Sequence, residues 1–211
     1  MASSVRNAVV TGGSGGIGKA CGRALVERGY DVILTARREG PLRAAAENIG
    51  ARWVSADASD PAGFAAALAD LPRVDLLVHA AGVLGGTYAR KQTLEQWQTI
   101  MSANLDSCFV VTAAALPLMH AGSRFVFVSS SAAHEPMPAR TAYSASKAGM
   151  NAFALALAQE VDRDGINVHI VTPGPVETER SEEHTSELQS HSDLVCRLLL
   201  EIGRASCRER V

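Results

Sequence analysis

Six short stretches of the chain are apolar nearly throughout: NAVVT, DVILTA, ARWVSA, DLLVHA, RFVFVSS and NVHIVT. Their length and β-branched content predict strands, and their unbroken apolarity predicts strands covered on both faces. Between them lie longer Ala- and Leu-rich segments, such as GIGKACGRALVERG and AGMNAFALALAQEV, whose apolar residues recur at helical spacing. Gly29 and Gly50 stand where the first two helices should stop. Strand–helix–strand alternation of this kind predicts an α/β fold, a doubly wound parallel sheet of six strands with helices on both faces. No internal repeat or linker divides it, so residues 1–179 are expected to form one domain. The longest irregular stretches are GVLGGTYARKQT and SSAAHEPMPART.

VVTGGSGGIGKA joins the first strand to the first helix. Backbone N–H groups and the positive helix end face an anion there, and glycines let it approach. A dinucleotide pyrophosphate rests at this place in a Rossmann-like fold. Two patterns fit: Gly13, Gly15 and Gly18 as G-x-G-x-x-G, or Thr11, Gly12, Gly16 and Gly18 as T-G-x3-G-x-G, with Ser14 and Ile17 in the same turn. A turn that is merely flexible is the bland alternative, disfavoured by its place between a strand and a helix. The end of the second strand discriminates between cofactors, because an acid there binds the adenosine ribose and repels a 2′-phosphate. This chain has LTARRE, with Ala36 in place of an acid and Arg37 and Arg38 after it. Guanidinium groups match phosphate, so NADP(H) is expected rather than NAD(H), the bland reading of both arginines being solvated surface charges. Asp57, in SADAS after the third strand, could accept a hydrogen bond from the adenine amino group.

TAYSASKAGM opens the helix after the fifth strand and places Tyr143 and Lys147 four apart on one helix face. An ammonium beside a phenol favours phenolate, which makes a tyrosine usable as a general acid or base. A Y-x3-K pair alone is common, and an ordinary solvated pair is its bland reading. The preceding strand ends in VFVSSSAA, at the carboxyl edge where open α/β sheets bind ligands. A serine hydroxyl there can steady a carbonyl oxygen as hydride arrives.

Taken together these motifs resemble the short-chain dehydrogenase/reductase family, in order and spacing from Val9 to Thr178. The match comprises the T-G-x3-G-x-G turn, Tyr143 and Lys147, Ser130 thirteen residues before the tyrosine, Asn104 in SANLDS of the long central helix, and PG-x-V-x-T (Pro173, Gly174, Val176, Thr178) after the sixth strand. The resemblance implies that Tyr143 exchanges a proton with the substrate oxygen. It implies that Lys147 holds the nicotinamide ribose and lowers the Tyr143 pKa, and that Ser130 orients the carbonyl, with Ser129 and Ser131 as substitutes. Asn104 would anchor a water of a proton relay, its bland alternative being a helix-kinking asparagine. Pro173, Gly174 and Thr178 would lie beside the nicotinamide, and Ala81 and Gly82 would line the cofactor. The family often has N-N-A-G where this chain has HAAG, His79 to Gly82. His79 is therefore expected to be packed and hydrogen-bonded, and the loss of the amides to weaken the tie between strands. The substrate implied is a small carbonyl or alcohol, and the assembly implied is a homo-oligomer. A cofactor-sensing module without catalysis, or a fragment without function, are the other readings.

Composition adds limits. The chain is 47% hydrophobic and 20% charged with a formal net charge of -2, and no basic stripe suggests nucleic acid. No signal peptide is apparent and no apolar run is expected to span a membrane. Four cysteines without paired spacing argue against a disulfide frame or a metal site, and Cys21 and Cys108 are expected to be buried thiols of a cytoplasmic protein. The segment after Glu179 fits none of this. RSEEHTSELQS, LVCRLLL and EIGRASCRERV resemble, in frame, the translation of common sequencing-library adapters, the last ending at an adapter stop codon. Residues 180–211 are accordingly expected to be non-native, the chain to be C-terminally truncated relative to the family, and the truncated chain to be inactive.

Overall fold

The computed structural model describes residues 5–173. Within them six strands form one parallel sheet: β1 (Arg6–Thr11), β2 (Tyr30–Ala36), β3 (Arg52–Ser55), β4 (Leu76–His79), β5 (Arg124–Val128) and β6 (Asn167–Val171). Their order across the sheet is β3-β2-β1-β4-β5-β6, so the chain winds outward from β1 in both directions. Six helices connect them: α1 (Gly16–Val26), α2 (Glu39–Ile49), α3 (Pro61–Leu68), α4 (Leu94–Met101), α5 (Ser107–Ala115) and α6 (Thr141–Val161). This is the expected doubly wound architecture.

Alternation along each strand divides the core in two. Ala8, Val10, Val32, Leu34, Leu76, Val78 and Val126 face α1 and α2, where Cys21, Leu25, Leu42 and Ile49 close the layer. Val9, Ile33, Leu77, Phe125 and Phe127 face the other way, against Phe64, Val111, Met150, Ala154 and Leu157 of α3, α5 and α6. Unbroken apolar strands are what two covered faces require. The exception is β3, where Arg52 and Ser55 are exposed. It is an edge strand paired only with β2, so the expectation of full coverage fails there.

Register brings Thr35, Thr11, His79, Phe127 and Ile170 side by side in the row where β1 and β4 end. Side chains in one row of a parallel sheet share a face, so two threonines and a histidine sit beside aromatic core at the carboxyl edge.

The long central helix is not continuous. Helix α4 passes through a π turn at Ser102–Asp106 before α5 begins. The stretch Leu94–Leu118 is 25 residues long and contains an 18-residue window of mean hydropathy 1.4, long and apolar enough by length and composition to cross a membrane, contrary to the expectation that no run would be. It is a core helix here: Cys108, Val111 and Ala115 are fully buried and Asn104, Ser107 and Thr112 point inward with them.

Phe127 is fully buried, stacked on Phe125 at 6.0 Å and edge-on to Phe153 at 5.9 Å. Replacing Phe127 with Ala should cost about 3–5 kcal/mol of unfolding free energy, read from urea denaturation. A loss below about 1 kcal/mol would show that the core collapses around the gap.

Candidate active site

The turn after β1 is shaped by backbone approach. Gly12 has φ +70°, and a side chain there would lie 2.7 Å from the Ala80 carbonyl oxygen. A Cβ on Gly18 would overlap the Gly12 carbonyl oxygen. The Gly13 amide pairs with Thr35 O at 3.0 Å and the Gly15 amide with Gly12 O at 2.9 Å. Helix α1 then starts with no side-chain cap and no acid in its first turn. The first intrahelical bond is Lys19 N to Gly15 O, so the amides of Gly16, Ile17 and Gly18 lack helical acceptors. An uncapped helix end of this kind suits an anion.

That end opens into a cavity of about 760 Å³. Thr11, Gly12, Ser14, Gly16, Ile17, Gly18, Arg37, Arg38, Asp57, Ala81 and Gly82, all expected from sequence, line it. Lys19, Asn48, Val83 and Ala103 line it too and were not foreseen, since none is a defining position of a motif. Arg37 and Arg38 are exposed at its wall, without a carboxylate partner among the described residues. By contrast Arg43 pairs with Glu47 and Arg52 with Asp31. Asp57 spends Oδ1 on the Ser59 amide (2.9 Å) and hydroxyl (2.7 Å), which holds the turn after β3. The uncapped amides, glycine approach and two uncommitted guanidinium groups fit a dinucleotide with an extra phosphate.

The second cluster lies at the same edge of the sheet. Ser130 follows β5, and its hydroxyl accepts the Ala132 amide at 3.2 Å, which leaves its proton free to donate. Ser129 is buried with an unpartnered hydroxyl, and Ser131 donates its amide to Pro173 O at 3.2 Å. Pro173 thus sits on the Ser130 side and not in the cavity wall. Gly174, Val176 and Thr178 lie outside the described residues. Tyr143 is half-buried in the first turn of α6. Lys147, one turn on, is 5% exposed and donates from Nζ to Val128 O at 2.8 Å. Its ammonium also comes within 3.7 Å of where a Gly82 side chain would begin, so it reaches the cofactor loop. Burial pushes its pKa down to about 8.

Asn104 is fully buried in the π turn. Its Oδ1 accepts the Val83 amide (2.7 Å), and its Nδ2 donates to Val83 O (3.1 Å) and Ser146 Oγ (3.0 Å). The Ser146 hydroxyl in turn donates to Tyr143 O at 2.7 Å. The amide therefore clamps the loop after β4 to the start of α6, with both its protons committed. Ser146 was missed by the motif reading, although its place three residues after Tyr143 is a legible helix-face signal. Next to these, Ala139 has φ +61° and Arg140 donates to Gly85 O at 3.1 Å, tying the two long loops together.

The family model for short chain dehydrogenases matches residues 6–189. The chain belongs to the short-chain dehydrogenase family. It is 33% identical over 180 residues to the 3-oxoacyl-[acyl-carrier-protein] reductase FabG of Escherichia coli (strain K12), across 82% of this chain and 74% of that one. It is 34% identical over 193 residues to serine 3-dehydrogenase of Agrobacterium fabrum, across 88% of this chain and 78% of that one. Among solved structures it resembles a dehydrogenase/reductase from Sinorhizobium meliloti 1021, with TM-score 0.86, 27% identity, and coverage of 93% of this chain and 87% of that one. A short chain dehydrogenase from Burkholderia cenocepacia J2315, solved in complex with NADP, matches with TM-score 0.85, 27% identity, and coverage of 94% and 91%.

Within this short-chain dehydrogenase, His79 is fully buried and hydrogen-bonded, as expected. The expected weakening of the strand tie is not what the structure shows. His79 Nδ1 lies 2.9 Å from Thr11 Oγ1 on β1 and Nε2 lies 3.1 Å from Ser107 Oγ on α5. The imidazole spans more than an amide could. Burial first, and the Lys147 charge second, push its pKa down to about 3, so it is neutral at physiological pH. Cys21 and Cys108 are buried free thiols, each pushed up to about 12 by burial, and act as core residues.

The depressed Lys147 pKa is a stability statement. Between the folded value of about 8 and the unfolded 10.5, the unfolded chain binds the extra proton, so stability rises with pH across that window. Below pH 8 the full cost of burying the charge is present, on the order of 3 kcal/mol. Replacing Lys147 with Met should therefore raise the unfolding free energy at pH 7 by about 1–3 kcal/mol and flatten that alkaline rise, as read by denaturant titration across pH. A variant less stable than the parent would show that the bond to Val128 O outweighs the desolvation.

Proposed function

We propose that the protein is an NADP(H)-dependent oxidoreductase that moves hydride between the nicotinamide and a carbonyl/alcohol substrate. Lys147 is the observation that carries this reading. It is the one buried ammonium that joins the two halves of the site, set between the end of β5, which leads to Ser130, and the Gly82 loop of the cofactor cavity. A cation kept there at a cost to stability needs a use, and a ribose beside a phenol supplies one. Arg37 and Arg38 favour a 2′-phosphate over a bare ribose, hence NADP(H) over NAD(H). The NADP in the Burkholderia relative supports the same cofactor.

When bound, NADP(H) supplies the hydride. Gly16, Ile17 and Gly18 would hold its pyrophosphate with backbone amides, and Arg37 and Arg38 its adenosine phosphate. Ser130 donates its hydroxyl proton to the substrate oxygen and fixes it. Tyr143 exchanges a proton with that oxygen, and Lys147 steadies the ribose. Asn104, both amide protons committed, fixes the relation of Tyr143 to the cofactor loop; its Oδ1 could accept from a relay water.

Ketones, steroids, sugars and 3-oxoacyl thioesters are the substrate classes to screen. We also propose that residues 180–211 are translated adapter and that the chain as written turns over little; genomic DNA amplified across the Glu179 codon tests the first, and NADPH oxidation by the purified 211-residue chain tests the second. Replacing Tyr143 with Phe, in the chain with its genomic continuation, should lower NADPH-dependent turnover by at least about 10³-fold while NADPH affinity stays within about threefold. A variant that keeps turnover would overturn the role of Tyr143. A parent that binds NADPH yet reduces none of the classes would favour the sensor reading.

The proposal includes self-association. Leu105 packs on Gly149, which joins the π turn to α6, and Phe109 one turn further is 63% exposed. Leu155 of α6 is 45% exposed, with Ala145, Ala148 and Ala152 exposed along the same helix. Apolar surface of this kind on two long helices suits a second copy. Replacing Phe109 with Glu should convert a dimer or tetramer to smaller species in sedimentation, without loss of NADPH binding. An unchanged sedimentation coefficient would place the interface elsewhere.

A further inference from the structure

We infer that His79 is a positioning residue for the cofactor turn: a neutral imidazole, protonated on Nε2, that fixes the Thr11 hydroxyl and through it the Ala81 amide. This deepens the cofactor reading above and rests on it.

The proton positions follow from donor counting. Ser107 has one hydroxyl proton, and it is committed to Ala103 O at 2.9 Å. Ser107 Oγ can then only accept from His79, so Nε2 carries the ring proton across the 3.1 Å contact. Nδ1 is left with a lone pair, and the Thr11 hydroxyl donates to it at 2.9 Å. Thr11 Oγ1, its own proton spent, accepts the Ala81 amide at 3.1 Å. One directed chain runs from Ala81 N–H through Thr11, His79 and Ser107 to Ala103 O. Each donor has one acceptor; placing the ring proton on Nδ1 would instead turn the Ser107 hydroxyl from Ala103 O to Nε2 and leave the Thr11 proton without this acceptor.

Both ends of this chain reach the cavity. Thr11 and Ala81 line it beside the glycine turn, and Ala103 lines it from the π turn, next to Asn104. His79 itself touches none of it. The ring is held by the sheet: Thr11 and Phe127 are its register partners, and Phe127 packs edge-on at 6.1 Å. A rigid strut between the glycine turn and the π turn is what these contacts amount to. Short of it, Thr11 would be free to rotate and the Ala81 amide would lose its acceptor.

Two substitutions separate positioning from packing. An Asn amide overlays the Nδ1 end of a histidine, and a Gln amide overlays the Nε2 end. Asn can therefore still accept from Thr11, while Gln fills more of the ring's volume but reaches toward Ser107. The experiment uses the 211-residue chain. It measures NADPH affinity by fluorescence, the exchange rate of the Ala81 amide, and the His79 tautomer by ¹⁵N NMR. We expect the Nε2–H tautomer throughout about pH 5 to 8. We expect His79→Asn to keep NADPH affinity within about threefold and the Ala81 amide protected, and His79→Gln to lose about tenfold with faster Ala81 exchange. An Nδ1–H tautomer, or a Gln variant that binds as well as the Asn variant, would overturn the proposal. Should the 211-residue chain bind no NADPH, affinity is measured in the chain with its genomic continuation; absent binding there too overturns the cofactor reading, and Ala81 exchange in the two variants still decides whether His79 orders the turn. Should either His79 variant fail to fold, Thr11→Ser and Thr11→Val give the same comparison from the other side, with Ser protecting Ala81 and Val exposing it.

Discussion

Parallel pairing is the constraint from which the rest follows. Six strands that run the same way all end at one edge, and each connection must return over a face by a helix. The carboxyl edge therefore collects the glycine turn after β1, the arginines after β2, Asp57 after β3, the Ala81–Gly82 loop after β4 and Ser130 after β5. Those after β1 to β4 are up to 71 positions apart in sequence, from Thr11 to Gly82, yet they line one cavity. The outward winding from β1 in two directions opens that crevice between β1 and β4, and the cavity lies there.

Polar groups at this edge are costly in an apolar setting, and most of them are paired, Ser129 Oγ being an exception among the described residues. Asn104 commits three hydrogen-bonding positions, Thr11 and His79 satisfy each other, and Ser146 closes the link to Tyr143. Lys147 is less well compensated. Its one strong partner is a single carbonyl, and burial shifts its proton affinity well below an ordinary lysine. The imbalance between a satisfied scaffold and one underpaid cation is what separates structural from chemical residues here. Helix α1 shows the same imbalance in its uncapped first turn.

Much of the fold was legible in the chain. Each of the six apolar runs became a strand, displaced by no more than a residue or two, because strands covered on both faces are apolar throughout, with β3 at the sheet edge the exception. Eleven cofactor residues named from motifs line one cavity, because glycines and arginines near strand ends have few other uses. Other features were not legible. The exposure of Arg52 and Ser55 depends on β3 lying at an edge, which strand order decides. The π turn at Ser102–Asp106 has no sequence marker beyond Asn104 itself. Lys19, Ser107 and Ser146 stand in the quoted motif stretches at positions the motifs leave open, and with Asn48 they gain their roles only from what lies opposite them. The apolar length of Leu94–Leu118 passed unnoticed because Asn104 and Asp106 interrupt it in sequence, although the helix carries on through them.

The sequence by itself determined the elements, the family and the chemical inventory: local periodicity selects strand or helix, and a Gly, Tyr, Lys or Arg has the same chemistry wherever it is folded. Only the tertiary structure decided how those groups are used. A histidine where an asparagine is common reads as a loss along the chain. Register then sets it beside Thr11, and the π turn brings Ser107 to its far nitrogen. Proton positions, burial and the depressed pKa of Lys147 are properties of neighbours across the sheet, and those neighbours are chosen by strand order and helix packing rather than by adjacency in the chain.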